Sequence, residues 1–457
     1  MKGKSMRSLM TGGSRLFGTD GIRGTANKDL TPELAMAVGR AAVEVLSRNN
    51  PRPLLLVGRD TRISGAMLEY ALTAGVCAAG GRVESLGVVP TPAVAFLTRK
   101  EGADAGVVIS ASHNPAEDNG IKFFHADGFK LPDEMEREIE KRVREREDGE
   151  RPVGDKVGCP APSSRGRELY LEHLLSLVDL DLSSLHLVVD CAHGSVCDIA
   201  PRLFRTLGAK VTALNVEPDG TNINLLCGST NPQGLQRRVV EEGAHLGLAF
   251  DGDADRVVAV DEKGNLADGD FIMAVTAVAM KERGILKRGA LAATVMSNLG
   301  FLLAMRREGI HVHLTPVGDR YVVERMLQEG LNLGGEQSGH IVFLDHATTG
   351  DGLLTSLMLL ETMWRSGESL SALCGVMEKV PQVLLNVKVR EKERLSESGR
   401  IKAAVRDWEN RLGGKGRILL RPSGTEQVVR VMVEDVDPLR AEEAARELAR
   451  VVEKELG

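Results

Sequence analysis

The sequence predicts an α/β protein: three related mixed α/β domains followed by a smaller C-terminal α+β domain. Three observations carry that prediction. Apolar, often β-branched runs alternate with helix-length stretches from about residue 30 to about residue 380, the pattern of a mostly parallel sheet covered on both faces. In three successive segments a late strand then ends abruptly in a polar loop, at Ser110–Asn114, Asp251–Arg256 and Gly335–His340. From Val380-Pro381 onward the texture changes to strands paired around charged helices, which reads as a small α+β unit. The boundaries follow as 1–163, 164–266, 267–380 and 381–457.

Composition narrows the class. A chain of 457 residues is too long for one core, and length alone suggests roughly three domains. Hydrophobic content of 42% and charged content of 27% are ordinary for a soluble globular protein. A net charge of −6 gives no attraction to nucleic acid or to an anionic membrane. No apolar run approaches the roughly 20 residues that span a bilayer. Met1–Ser14 is basic without an apolar core, so it reads as a frayed terminus rather than a signal peptide. The six cysteines are scattered and form no Cys-x-x-Cys, which fits reduced thiols in the cytoplasm.

The elements can be taken in order. Leu30-Thr31-Pro32-Glu33 opens the first helix with threonine at the cap and proline in the first turn, and an Ala-rich body runs to about Arg48. Leu54–Val57 is a buried strand ending in Gly58-Arg59-Asp60-Thr61-Arg62, and a helix follows to about Ala79. Val83–Leu86 is a strand, Pro90-Thr91-Pro92 leads into a helix, and the run to Val108-Ile109 is a second buried strand. It stops at Asn114-Pro115, because proline lacks an N–H and restricts the residue before it. Asn119-Gly120 marks a turn, and Ile121–Phe124 resumes a strand. Residues 133–151 place Glu and Arg at helical spacing as a solvated face, and Pro152–Ser164 reads as a linker. His186–Asp190, Lys210–Leu214 and Gly247–Phe250 are the strands of the second segment. Leu291–Met296, His311–Leu314 and Leu331–Gly334 are those of the third. In the last segment Val383–Val389 is a strand, a charged helix spans about Arg394–Arg411, and Val428–Val433 is another strand. Asp437-Pro438 opens the final amphipathic helix.

The loops carry the chemistry. Ser112 stands just past a buried strand, where open α/β sheets place their sites, although a plain polar loop explains that stretch taken alone. Arg23 lies among Gly18, Gly21 and Gly24, which permit close approach of a ligand or form a tight turn with a solvated arginine. Asp251, Asp253 and Asp255 crowd three carboxylates onto one short loop, which is unfavourable unless a cation offsets the repulsion. Oxygen ligands suit a hard divalent ion, magnesium first. An EF-hand is opposed by Arg256 where that loop needs glycine, and a solvated acidic turn is the bland alternative. Arg256 itself would suit a phosphate sharing the metal. Lys122, flanked by apolar residues, either snorkels to water or is held for use with a pKa lowered by partial burial. Glu336, Ser338 and His340 on a glycine-flexible loop suit sugar hydroxyls, or make an ordinary polar loop. Arg421, Ser423, Gly424 and Thr425, with Arg430 to close them, are the parts of a dianion cradle or of a simple turn. Cys191, His193 and Cys197 lie close together, but no second ligand pair follows with zinc spacing. A serine, a hard-metal loop, a hydroxyl-reading loop and a phosphate cradle together describe phosphoryl transfer on a phosphorylated polyol.

In the content and order of these four loops the chain resembles the α-D-phosphohexomutases, over nearly its whole length. Gly18-Thr-Asp-Gly-Ile-Arg23-Gly, Thr315-Pro-Val-Gly318-Asp319-Arg320-Tyr and Gly335-Glu-Gln337-Ser-Gly-His are most similar to members acting on glucosamine phosphates. Members acting on mannose and glucose phosphates more often carry methionine at the position of Gln337. Gln427 departs from the family's Ser-Gly-Thr-Glu-Pro, which implies a change in loop stiffness only, since the phosphate-contacting side chains precede it.

The resemblance implies four domains around a central active-site cleft, the last able to swing over the substrate. It implies an isomerase that interconverts glucosamine 6-phosphate and glucosamine 1-phosphate through a phosphoserine at Ser112 and a 1,6-bisphosphate intermediate, feeding bacterial cell-wall amino-sugar synthesis. Mg²⁺, one per chain, would be held by Asp251, Asp253, Asp255 and the phosphoserine at Ser112, and glucosamine or glucose 1,6-bisphosphate would serve as activator. Lys122 is the implied general acid/base, with His113 and His340 as lesser contenders. Arg23 and Arg256 would steady the transferring phosphate, Glu336 and Ser338 the sugar hydroxyls, with Gly318 and Asp319 beside them. Arg421, Ser423, Gly424, Thr425 and Arg430 would grip the other phosphate. Relatives often form dimers, so a homodimer is admitted. The rivals are the same mechanism on glucose or mannose phosphates and a non-catalytic sugar-phosphate sensor. A serine hydrolase fits poorly, because Ser112 lies in no Gly-x-Ser-x-Gly elbow.

Overall fold

A computed structural model describes residues 15–18, 20–46, 50–145, 151–163, 165–423 and 427–457. The terminus expected to fray, Met1–Ser14, lies outside the described residues, as do Gly424 and Thr425 of the phosphate cradle. The chain divides into two compact units, one of Met1–Val295 with Ile310–Cys374, the other of Met296–Gly309 with Gly375–Gly457.

The first unit holds three sheets built on one plan. The strands of the first sheet are β1 (Ile22–Thr25), β2 (Leu54–Arg59), β3 (Arg82–Val88), β4 (Ala105–Ile109), β5 (Asp118–His125) and β6 (Pro160–Pro162), in the order β1-β5-β4-β2-β3-β6. The second sheet has β7 (His186–Asp190), β8 (Lys210–Leu214), β9 (Leu246–Phe250), β10 (Val257–Asp261) and β11 (Leu266–Ala267), in the order β11-β10-β9-β7-β8. The third has β12 (Ala290–Thr294), β13 (His311–Thr315), β14 (Leu333–Gly335) and β15 (Ile341–Phe343), in the order β13-β12-β14-β15. In each, a run of parallel strands is followed by one that turns back antiparallel: β4 into β5, β9 into β10, β14 into β15. The three polar loops read from the sequence are these three hairpin loops. Strands β4, β5, β7, β9, β10 and β12 are buried along most or all of their length, which is why their sequences run apolar instead of alternating.

Helices cover the first sheet. Pro32–Leu46 and Ile63–Ala78 pack on one another so closely that a side chain at Gly39 or Gly75 would collide with the opposite backbone. Leu34, Val38, Val45, Leu72 and Val76 fill the core between them and the sheet with Leu55, Val57 and Ile109. The Pro152–Ser164 stretch is more than a linker: Pro160–Pro162 adds parallel to β3 as an edge strand, the position where proline's missing N–H costs least. The Glu/Arg helix Asp133–Glu145 is not wholly solvated, since Glu136, Ile139, Glu140 and Val143 face inward.

The second unit is a three-stranded antiparallel sheet, with β16 (Gln382–Lys388), β17 (Gly416–Pro422) and β18 (Val428–Asp435) in the order β16-β18-β17. Helices Gly399–Leu412 and Pro438–Leu456 cover it, burying Trp408, Leu412, Leu448 and Val452 against Val429, Val431 and Val433. Asp437 caps the last helix through the N–H groups of Leu439 and Arg440, as its Asp-Pro start implies. The charged helix is broken near its start: Lys392–Ser396 is a 3-10 turn, and the α-helix begins after a serine cap at Ser398.

Candidate active site

Ser112 sits in the β4–β5 loop, fully buried, with φ of 54° in the left-handed region that serine seldom adopts. Side chains from two other places hold it there. The Ser112 N–H donates to Ser110 Oγ at 2.9 Å, and Ser110 Oγ donates to Asp60 Oδ2 at 2.6 Å. Asp60 pairs with Arg62 at 3.0 Å, and neither side chain is exposed. Burial raises the Asp60 pKa, with Arg62 acting against it. Arg62 also donates to the carbonyls of Ser112 at 3.0 Å, Asn114 at 2.8 Å and Pro115. Sequence reading passed over Asp60 and Arg62 as the end of a strand. The available signal was two opposite charges two residues apart, three residues past the end of the apolar run Leu54–Val57.

The β9–β10 loop brings its three aspartates to the serine. Ser112 Oγ donates to Asp251 Oδ2 at 2.6 Å. One carboxylate oxygen from each of Asp251, Asp253 and Asp255 lies within 4.8 Å of the others, and all three residues are buried. Burial, then Asp255 and Asp253, push the Asp251 pKa well above the carboxylate range. Asp255 is also penalised by burial, but Lys122 and His340 outweigh that and hold its pKa low. Thr91 Oγ1 donates to Asp253 Oδ2 at 2.7 Å, while Asp253 Oδ1 and Asp255 Oδ1 are buried with no hydrogen-bond partner among the described residues. Orphaned carboxylate oxygens in a cluster of three fit a hard divalent cation. It is the one cluster of potential metal ligands of this kind among the described residues, and Cys191, His193 and Cys197 do not form another.

Lys122 departs from expectation. It neither snorkels nor has a lowered pKa: it is 3% exposed and lies 3.2 Å from Asp253 Oδ2 and 3.6 Å from Asp255 Oδ2. Burial disfavours its ammonium, yet Asp253, Asp20 and Asp255 more than compensate and raise its pKa. His113, with Nδ1 3.3 Å from Ser112 Oγ, is the opposite case, because burial and then Arg256 and Arg23 lower its pKa to about 4 and keep it neutral.

The β14–β15 loop completes the group. His340 lies 3.7 Å from Asp255 Oδ2 and 3.7 Å from Asp319 Oδ2. Burial lowers its pKa, but Asp255, Asp319 and Glu336 raise it to about 9. The Gly350 N–H donates to His340 Nε2 at 3.1 Å, which in the neutral ring places the proton on Nδ1. Glu336 accepts from the Gly318 N–H at 3.1 Å and from Ser338 Oγ at 3.4 Å, so Gly318, Glu336 and Ser338 do converge. Lys130 was missed by sequence reading. Its Nζ bridges Asp20 at 2.7 Å and Asp319 at 2.6 Å, tying the Arg23 loop to the start of helix Asp319–Glu329. Arg23 pairs with Asp20, and Arg256 lies 3.8 Å from Asp255. The Nε atoms of both arginines are buried without a hydrogen-bond partner among the described residues, which suits an anion.

In the second unit Arg421 and Arg430 stand directly opposite one another on β17 and β18. Like charges facing across an antiparallel pair are unfavourable unless an anion joins them. Burial and then Arg430 lower the Arg421 pKa. Ser423 follows β17, its N–H donating to the Val428 carbonyl at 2.9 Å. Gln427, at the departure from the family pattern, donates to the Arg390 carbonyl at 2.7 Å.

Comparison with known proteins agrees with this geometry. Four family models match, described as phosphoglucomutase/phosphomannomutase alpha/beta/alpha domain I over residues 14–150, domain II over 168–264 and domain III over 268–380, and the C-terminal domain over 384–451. A phosphoglucosamine mutase of Carboxydothermus hydrogenoformans is 54% identical over 441 residues, 96% of this chain and 99% of that protein. One from Moorella thermoacetica is 53% identical over 438 residues, again covering 96% and 99%. Among solved structures, a phosphoglucomutase/phosphomannomutase family protein from Burkholderia thailandensis superposes with TM-score 0.81 at 26% identity, covering 96% of this chain and 97% of that one. An Aspergillus fumigatus N-acetylphosphoglucosamine mutase in complex with GlcNAc-6P and magnesium has TM-score 0.69 at 18% identity, covering 98% and 97%, and shares the fold.

Proposed function

The chain belongs to the phosphoglucomutase/phosphomannomutase family, and we propose that it interconverts glucosamine 6-phosphate and glucosamine 1-phosphate on Ser112. It is an enzyme of the isomerase class, because the phosphoryl group changes position on one sugar. The observation that carries the site assignment is Ser112 Oγ at 2.6 Å from Asp251, inside a buried cluster of three aspartates and Lys122. A simple binder would not need that set.

In this reading phospho-Ser112 gives its phosphoryl group to the C1 hydroxyl of glucosamine 6-phosphate: the P–Oγ bond breaks, a P–O1 bond forms, and the hydroxyl proton passes to the departing Ser112 Oγ. The 1,6-bisphosphate reorients. The phosphoryl group on O6 then returns to Ser112 Oγ, whose proton passes to the departing oxygen, and glucosamine 1-phosphate leaves. Asp251, Asp253 and Asp255 would hold Mg²⁺ with a phosphoserine oxygen, and the ion would offset charge on the transferring group. Lys122 is the proton carrier, resting as an ammonium whose proton Asp253, Asp20 and Asp255 hold tightly. His113 and His340 are the lesser contenders. Arg23 and Arg256 offer to the transferring phosphate their Nε groups, which have no hydrogen-bond partner among the described residues. Glu336 and Ser338, with Gly318 and Asp319 beside them, take the sugar hydroxyls. Arg421, Ser423, Gly424, Thr425 and Arg430 take the other phosphate, an anion that relieves the facing arginines. A 1,6-bisphosphate of glucosamine or glucose primes Ser112. A homodimer and a cytoplasmic location complete the proposal; six free thiols support the latter.

The test is specificity. Mg²⁺-dependent interconversion of the 6- and 1-phosphates of glucosamine, glucose and mannose is measured, each primed with its bisphosphate. The expected result is a kcat/KM favouring glucosamine by about two decades, roughly 3 kcal/mol of transition-state discrimination. Equal or better rates on glucose or mannose overturn the substrate, and no turnover on any of them overturns the enzyme reading.

A further inference from the structure

The backbone around Ser112 poses a chemical problem. A phosphoryl group on Oγ is repelled by any carbonyl oxygen turned towards it, and two carbonyls of the same loop, those of Ser112 and Asn114, lie close by in sequence. Both are occupied from outside the loop. Arg62 Nη2 donates to the Ser112 carbonyl at 3.0 Å and to the Asn114 carbonyl at 2.8 Å. Asn224 Nδ2 donates to the same two carbonyls, at 2.9 Å and 3.0 Å. Each carbonyl therefore receives two donors, one of them charged, and each donor spans both carbonyls. Ser112 Oγ is engaged elsewhere, with Asp251 and His113.

The two donors come from different sheets. Arg62 immediately precedes helix Ile63–Ala78 of the first, and Asn224 lies in the loop after β8 of the second. Both are anchored. Arg62 is 1% exposed, and Asp60 takes its Nε and its backbone N–H at 3.0 Å each. Asn224 is itself left-handed, with φ of 58°, and its N–H donates to the Ala192 carbonyl at 2.9 Å. Neither side chain is bonded to Ser112 Oγ or to the three aspartates.

We propose that Arg62 and Asn224 are positioning residues for phosphoryl transfer: together they commit the Ser112 and Asn114 carbonyls away from the phosphoryl side and hold Ser112 in its left-handed conformation. The inference rests on Ser112 being the phosphoryl carrier. It assigns the pair no contact with the sugar, so their loss acts on the chemical step and spares binding.

The test uses the full chain primed with glucosamine 1,6-bisphosphate, and compares kcat, KM and thermal midpoint. Asn224→Gly removes the amide at a position whose positive φ glycine tolerates, and Asn224→Asp keeps the shape but turns an acceptor on the two carbonyls. Arg62→Lys keeps the charge beside Asp60 but cannot span both carbonyls. Both Asn224 variants are expected to lower kcat by about 10- to 100-fold, with KM within about threefold of the parent and Asn224→Asp the worse. A parent-like kcat in a folded Asn224→Gly and Asn224→Asp overturns the proposal, as does a loss confined to KM. Should Arg62→Lys not fold, the Asn224 pair decides alone. Ser112→Ala is run beside them: if it keeps full activity, the phosphoserine reading falls, whereas an inactive Ser112→Ala with unimpaired Asn224 variants defeats only the present inference.

Discussion

At the scale of single residues, the centre is governed by paired charges excluded from water. Asp253 shows it best. One of its oxygens takes Thr91 and Lys122, and the other is buried with no hydrogen bond to accept among the described residues. Such an oxygen costs free energy unless a cation meets it. Excess EDTA is accordingly expected to stop turnover and Mg²⁺ to restore it. Asp253→Asn should raise the Mg²⁺ concentration for half-maximal rate by about tenfold or more, the scale on which changes around a metal alter its binding. Rates unchanged in EDTA contradict the role given to the aspartates. For Lys122 the sequence left snorkelling and retention in the interior both open, and the sign of its pKa shift was not legible. Apolar neighbours in sequence suggested desolvation alone, whereas the decisive carboxylates of Asp253 and Asp255 arrive from another sheet.

At the scale of elements, the hairpin is the unit that places the candidate site residues. In each of the first three sheets a strand parallel to its neighbour turns back antiparallel, and the reversal loop carries reactive side chains. Those loops were legible because apolar runs stopped abruptly in polar residues. Their mutual seating was not. Gly339 lies so close to Val257 that a Cβ there would strike its backbone carbonyl, and Lys130 joins residues far apart in the chain. Neither leaves a local pattern. Helix Gly352–Ser366 offers a test of charge burial. Asp351 caps it through the Leu354 N–H at 3.0 Å and accepts the Tyr170 hydroxyl at 2.8 Å. Burial nevertheless raises its pKa from 3.8 to about 6. A carboxyl raised on folding binds its proton more tightly in the native state. Its contribution to stability is therefore lost as pH rises from about 4 through about 6, at most about 3 kcal/mol for a shift of this size. Asp351→Asn, which can still cap the helix, should gain on the parent across that interval in urea unfolding; a difference independent of pH would count against the assignment.

At the scale of the whole molecule, the sequence contained the plan of repeated α/β units and a different final unit, because strand and helix periods differ and the late loops recur. It did not contain the edge strand Pro160–Pro162, since prolines between two units mimic a linker. For the Asp60–Arg62 pair it held only two opposite charges past an apolar run, because the burial of an ion pair is recognised by what surrounds it in space. What unites these levels is a single claim, that Ser112 carries the phosphoryl group between the two ends of the sugar. The most direct measurement is intact mass and site mapping of the protein after incubation with glucosamine 1,6-bisphosphate and Mg²⁺. The account predicts a species about 80 Da heavier, the mass of one added phosphoryl group. That group should lie on Ser112, be discharged by glucosamine 6-phosphate at a rate consistent with turnover, and be absent in Ser112→Ala. Steady turnover with no phosphoryl group on Ser112 would contradict it.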